Sequence, residues 1–313
     1  MSGYLARRLV DAALTIVLVL TLVFLAMRVL PGDPAVSALG EDATPDQLAA
    51  FRARMGLDVP LPAQYLTFLW QMARFQFGRS FVSDETTRSM LATALPYTIE
   101  LTLAAILVGA AIGIPAGVLS ATRRGRAADY AARGLSLLGF CIPEFYLAAL
   151  MLIGFALKLD LFPIMGGGDA LPDRLYHLVL PALTLGLVMA AFTCRLTRSS
   201  MLEVLPRQFV RTARAKGASP ARVVMHHALR NALIPVSTGF GIYILTMLSG
   251  SIPVELVFSR PGLGTVLVNA ILARDYPVVQ GCLALFTLFV VVVNLAMDVV
   301  YALVDPRIRV AGV

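Results

Sequence analysis

Apolar positions gather into six runs long enough to cross a bilayer: roughly Leu9 to Leu30, Thr98 to Ser120, Gly134 to Leu157, His177 to Cys194, Leu233 to Pro253 and Val279 to Val304. About 20 apolar residues carry a helix across the hydrocarbon, and a helix satisfies its own backbone there. The pattern predicts an all-α polytopic membrane protein with six transmembrane helices. Polar stretches divide the chain into a tail and first span (1–30), a segment outside the membrane (31–97), a five-helix core with a polar loop at 195–232 (98–304), and a closing tail (305–313).

The stretch from Arg207 to Pro235, RQFVRTARAKGASPARVVMHHALRNALIP, is basic and lies between two apolar runs, so the chain leaves the bilayer here. Arg207, Arg211 and Arg214 recur at i, i+4 and i+7 along one helical face, with Phe209 and Ala213 on another. Gly217 supplies a left-handed exit, and Ser219 can cap a second helix whose first residue is Pro220. Two short helices meeting at a bend are expected, the second striped by Arg222, His226 and Arg230.

Other polar and small positions shape the spans. Pro31 and Pro34 in Leu30-Pro31-Gly32-Asp33-Pro34 end the first one. Beyond it Thr44 caps a helix with Pro45 at its first position. Tyr65, Phe68, Leu69, Met72 and Phe75 then fall at helical spacing with Trp70 nearby, the pattern of an amphipathic helix at a membrane surface. Two uses are open to it: a lid packed on the spans, or a docking surface presenting Tyr65, Phe68 and Trp70. Gly109, Gly113 and Gly117 in the second run, and Gly239, Gly241 and Gly250 in the fifth, let neighbouring helices come close.

Glu144 falls near the middle of the third run, where a charge costs about 2.5–3.5 kcal/mol on insertion scales. It is expected to face the bundle interior or water, with Pro143 bending the helix beside it. Pro143, Glu144, Phe145 and, in the fifth run, Tyr243 form the candidate substrate path; a satisfied structural acid is the other reading of Glu144. Gly166 to Gly168 reads as a flexible loop, and Asn294 with Asp298 as an interhelical hydrogen-bonding pair.

Composition agrees with a membrane protein, at 58% hydrophobic, 14% charged and a mean hydropathy of +0.80. A net charge of +7 would suit nucleic acid, but the charges are sorted by side. With the N terminus in the cytoplasm, 16 of the 26 basic residues fall on the inner face against Asp11, Asp129, Glu203 and Asp305. This is the positive-inside asymmetry; it puts both termini in the cytoplasm and 31–97 outside, and it makes lipid, not nucleic acid, the partner of the charge. Cys141, Cys194 and Cys282 lie inside apolar runs and read as small core residues. The first apolar run is longer than a signal-peptide core and shows no small-residue cleavage site, so it is expected to remain as a span.

Several strings resemble one family. The segment around Arg211-Thr212-Ala213, Gly217 and Leu229 resembles the cytoplasmic EAA loop of ABC-importer permeases, with Arg211 where glutamate is usual and Arg230 where proline is usual, as in the dipeptide, oligopeptide and nickel branch. LPGDP, Phe77-Gly78-Arg79-Ser80, Glu255-Leu256-Val257-Phe258 with Pro261-Gly262-Leu263-Gly264, Arg274-Asp275-Tyr276-Pro277 and Asp305-Pro306-Arg307 are similar to strings of the same branch; Arg260 stands where tryptophan is frequent. The resemblance implies a type I ABC importer permease fold in a bacterial inner membrane. It also implies a second homologous permease, two ATPase subunits holding ATP and Mg, and an external solute-binding protein. Arg207, Arg211, Thr212, Ala213, Arg214, Lys216, Gly217, Ala218, Ser219 and Pro220 would then be the ATPase-coupling residues, and Tyr65, Phe68 and Trp70 candidates for docking the binding protein. Di- or oligopeptides are the commonest cargo of the branch, with nickel and glutathione as alternatives.

The only lysines are Lys158 and Lys216, and neither stands in a Walker A string, so no cofactor or nucleotide is expected on this chain. Adjacent His226 and His227 point about 100° apart on a helix and have no third ligand near in sequence, so no metal site is expected. An ion-coupled transporter would need more midplane acids than Glu144 and usually an internal repeat. A membrane enzyme would need a nucleophile or metal constellation, which the motifs lack.

Overall fold

The structure, a computed structural model, describes residues 2–29, 34–40 and 42–304. Leu30 to Asp33 of the exit string and the Asp305-Pro306-Arg307-Ile308-Arg309 ending lie outside the described residues. Helices α1 (Ser2–Val29), α2 (Pro34–Leu39), α3 (Pro45–Arg54), α4 (Leu61–Ala73), α5 (Thr87–Thr122), α6 (Ala127–Cys141) and α7 (Glu144–Met151) are followed by α8 (Leu171–Val204), α9 (Gln208–Ala215), α10 (Pro220–Arg222), α11 (Arg230–Val257), α12 (Leu263–Leu272) and α13 (Tyr276–Val304). Among the described residues the β structure is a single bridge between Arg79 and Thr86.

Among the described residues, five helical stretches are long and apolar enough to cross a membrane: α1, α5, α8, the unbroken stretch Pro220–Val257 and α13. The third apolar run, Gly134 to Leu157, differs from the expectation of one span. It breaks between Cys141 and Glu144, and α6 and α7 meet at 105°. Ile142 and Pro143 both adopt extended backbone, as a residue before proline favours, and proline cannot donate to the previous turn. Glu144 therefore stands at the first position of a new helix, not inside one.

By contacts the chain divides into two compact units, Met1–Thr98 with Pro261–Val292 and Ile99–Arg260 with Val293–Val313. In the first, α4 lies on α1: Tyr65 shares a 2.7 Å hydrogen bond with the Thr21 hydroxyl, and Phe24 meets the rings of Tyr65 and Phe68 at 5.3 and 5.6 Å. Thr44 and Gln47 form a reciprocal capping box at the start of α3, as the Thr44-Pro45 string predicts. Two family-like strings converge here, because the Ser80 hydroxyl and the Phe81 backbone N–H both donate to the buried Asp275 carboxylate.

In the second unit, α5 and α8 run in the same direction in close contact. A Cβ on Gly109 would meet Met189, one on Gly113 would lie 2.8 Å from the Ala190 carbonyl oxygen, and one on Gly117 would lie 2.6 Å from that of Cys194. The glycine stripe thus lets two backbones approach where lipid supplies no hydrophobic drive. Leu101, Ala105, Leu185, Met189, Ile244 and Met247 build the core between α5, α8 and α11. Cys194 is buried as expected, but Cys141 is exposed at the α6 break. Asn294 is exposed, and the Asp298 side chain lies outside the described ones. The Gly166–Gly168 loop is pinned: the Gly166 N–H donates to the Phe258 carbonyl at 2.9 Å, and Gly168, at φ +74°, abuts the backbone of Asp173 and Arg174.

Candidate functional site

The basic segment folds as an elbow. Arg207 precedes α9, whose Val210 and Ala213 are buried against Val223 and Ala218. Phe209, expected beside Ala213, is instead exposed, because the buried stripe runs through its neighbour Val210. Gly217 closes α9 at φ +81°, a region that L side chains rarely adopt, with no atom near enough for a Cβ to touch. The Ser219 hydroxyl then accepts the Arg222 N–H at 3.4 Å, and Pro220 opens the next helix. Arg207, Arg211, Thr212, Arg214, Lys216, Gly217, Ser219 and Pro220 are exposed; Ala213 is buried and Ala218 half-buried. Arg207 pairs with Glu203 one turn back at 2.6 Å, and Arg222, His226 and His227 line a shallow groove.

Beyond the elbow the chain departs from the expected short second helix. α10 passes through widened turns at Val223–Leu229 straight into α11, giving one helical stretch of 38 residues from Pro220 to Val257. At 1.5 Å per residue that is a rod about 57 Å long. Its lower part is anchored by Ala228, Leu229 and Ala232, which pack on Met201 of α8 and Ala121 of α5.

Higher on the rod lie the residues placed on the substrate path. Tyr243 stacks on Phe192 of α8, with ring centroids 4.8 Å apart and planes at 19°. Two turns further, Gly250 abuts the Glu144 carboxylate so closely that any Cβ there would overlap it. Glu144 and Tyr243 are half-buried, while Pro143 and Phe145 are exposed. The structure thus brings Glu144 and Tyr243 to the same face of α11 and leaves Phe145 pointing away from buried surroundings.

Three charged arrangements were not visible in the sequence. Asp129, at the start of α6, is buried and accepts from Arg198, Ser120 and the Gly125 N–H. Glu100 of α5 receives Arg174 on one oxygen and the fully buried Arg260 on the other. Arg195 of α8 is exposed, its guanidinium 4.4 Å from the centre of the Phe140 ring.

On α4 the three candidate docking residues separate. Tyr65 and Phe68 face α1, and Phe68 with Met72, Gln71, Phe77, Arg79 and Tyr276 lines a cavity of about 350 Å³. Trp70 is 60% exposed, its ring beneath the Arg74 guanidinium at 4.1 Å. Phase along the helix decides this: Tyr65, Phe68 and Met72 keep one stripe, and Leu66 and Trp70 take the other.

A bundle of apolar spans with a polar elbow prolonging one of them is the architecture of a membrane transport subunit. The chain belongs to the family of binding-protein-dependent transport system inner membrane components, whose model matches residues 113–310, with the family's N-terminal part matching residues 1–102. It is 40% identical to the di/tripeptide transport system permease protein DppB of Pseudomonas aeruginosa (strain UCBPP-PA14), 39% identical to a putative peptide transport system permease protein of Brucella abortus (strain 2308) and 37% identical to the dipeptide transport system permease protein DppB of Escherichia coli (strain K12). Each of these alignments covers 99% of both chains. A chain of the MetNI methionine ABC transporter in an inward-facing conformation superposes with a TM-score of 0.59 at 22% identity, covering 69% of this chain and 96% of that one. A chain of an amino acid ABC transporter does so at 0.52 and 12% identity, covering 68% and 93%. The fold is that of type I ABC importer permeases, and the chain is a multi-pass inner-membrane protein and the transmembrane subunit of an importer.

Proposed function

We propose that this chain forms half of the path by which an ATP-driven importer carries di- or oligopeptides inward, and that its elbow receives the stroke of a separate ATPase. The observation that carries the coupling is the unbroken helix from Pro220 to Val257. A push on the exposed surface around Arg211 to Pro220 acts on one end of a rod whose other parts hold Tyr243 and Gly250. Tilting that rod shifts Tyr243 against Phe192 and Gly250 against Glu144, while the break at Ile142–Pro143 lets α6 and α7 move separately. Full-length similarity to permeases named for dipeptides and di/tripeptides supports the cargo.

Sixteen of 26 basic residues on the elbow side favour a cytoplasmic elbow with both termini inside and α3 and α4 outside. There a loaded solute-binding protein would deliver peptide, with Trp70 on the outward stripe of α4 as its candidate contact. A second homologous permease completes the path, and two ATPases hold ATP and Mg. The test is peptide uptake into proteoliposomes containing the chain with these partners. Uptake that requires ATP and the binding protein is expected; uphill uptake by the isolated chain on an ion gradient would overturn the reading.

A further inference from the structure

The face of the second unit that carries Tyr243 holds charges that the fold leaves unneutralised. Glu144 sits against Gly250, and Tyr243 lies seven residues earlier on the same face of α11. Tyr243 stacks on Phe192, Phe192 meets Phe140 at 6.3 Å, and Phe140 lies under Arg195. Gly239 abuts Leu196 while Tyr243 abuts Phe192, so α8 and α11 run antiparallel here. Arg195 is therefore on the elbow side of the aromatic row and Glu144 on the far side. Counting three residues on α8 and seven on α11, the two charges are about 15 Å apart along the helices.

Among the described residues neither Glu144 nor Arg195 has an ion-pair or hydrogen-bond partner, whereas Asp129, Glu100 and Asp275 each do. A charge at the centre of a spanning segment costs about 2.5–3.5 kcal/mol and marks a ligand path or a relay when nothing in the protein offsets it; Glu144 is such a charge, whereas Arg195 is exposed where the fourth apolar run gives way to the polar loop. Opposite charges at the two ends of one aromatic row match a zwitterion of extended shape. An extended chain rises about 3.3–3.6 Å per residue, so a peptide of about four or five residues spans the interval and a shorter one engages one end at a time.

We propose that Glu144 and Arg195 are the two poles of a peptide-handling face, Glu144 taking the α-ammonium and Arg195 the α-carboxylate. Phe140, Phe192 and Tyr243 lie along the cargo between them as an apolar aromatic row that does not select among side chains. The inference rests on the peptide cargo proposed for this chain. Charges at the termini are shared by all unblocked peptides, so this face grips any sequence while two poles far apart hold none of the shorter ones tightly.

The experiment is uptake of labelled di- and tetrapeptides into proteoliposomes containing the whole transporter and its binding protein, with Glu144→Gln and Arg195→Gln, assembly being checked by co-purification and melting temperature. Each variant is expected to assemble normally and to lower uptake about tenfold, with Glu144→Asp and Arg195→Lys recovering most of it. Uptake within twofold of the unaltered transporter in both variants overturns the face and leaves peptide transport standing. Loss of assembly that Glu144→Asp does not restore marks a structural acid and also overturns it. An unaltered transporter that carries no peptide overturns the cargo reading itself.

Discussion

Arg198 holds Asp129 through two hydrogen bonds, Nε to Oδ1 at 2.7 Å and a terminal nitrogen to Oδ2 at 3.1 Å. The same carboxylate accepts the Ser120 hydroxyl at 2.6 Å and the Gly125 N–H at 3.0 Å, so one acid ties the end of α5, the turn after it, α6 and α8. Asp129→Asn keeps the shape but removes the charge that Arg198 faces. The purified transporter is expected to melt lower by on the order of 5 °C. Arg198→Lys, which keeps the charge but loses the planar fork, should lower it less. Thermal unfolding followed by size exclusion reads both; an unchanged melting point for Asp129→Asn would mean the tie contributes nothing.

The contact of α5 with α8 makes a sharper packing prediction. Gly113 faces the Ala190 backbone and Thr193, so Gly113→Leu forces the helices apart, at about 1–3 kcal/mol or more for overpacking. Gly134 of α6 has nothing near it within the chain. Gly134→Ala should be tolerated or slightly stabilising, since alanine favours a helix by up to about 1 kcal/mol. The yield of folded protein from membranes should fall for the first and hold for the second.

The elbow was legible because its chemistry is local: a glycine exit, a serine cap and a proline start act over four residues and need no knowledge of the rest. The spans were legible by hydropathy, but hydropathy reports apolar length and is blind to direction, so it missed the 105° turn at Ile142–Pro143. It also marked the second span from Thr98, although the helix starts at Thr87, because a helix continues through polar residues that a bilayer would reject. Phe209 and Val210 are adjacent and both apolar; only Val223, supplied from beyond the bend, decides that Val210 is the buried one. The ion pairs join residues 69 to 160 positions apart, which no spacing rule in one sequence connects.

At Gly217 the constraint is backbone conformation and not space, which separates two substitutions. Valine there strains the positive φ by roughly 1–2 kcal/mol, whereas asparagine visits that region readily. Gly217→Val is expected to lower peptide uptake several-fold per ATP hydrolysed, and Gly217→Asn to stay near the unaltered level. Parallel assays of hydrolysis and uptake in proteoliposomes decide it. Equal behaviour of the two variants would move the role of Gly217 away from its left-handed turn.

Glu100 carries two guanidiniums, Arg260 at 2.9 Å and Arg174 on its other oxygen. Arg260 is completely buried, so Glu100→Gln takes a charged partner away from a cation held in the interior. Removing one partner of a buried pair is far costlier than replacing both by apolar groups. Glu100→Gln should therefore sharply reduce folded protein, and Arg260→Met in the same background should recover much of the loss, although Arg260→Met alone is itself harmful. A double-mutant cycle on melting temperature is expected to show coupling equivalent to about 0.5–3 kcal/mol. Strict additivity would mean that Arg260 draws its compensation from elsewhere, and that the turn after α11 is held by its own backbone and not by the acid on α5.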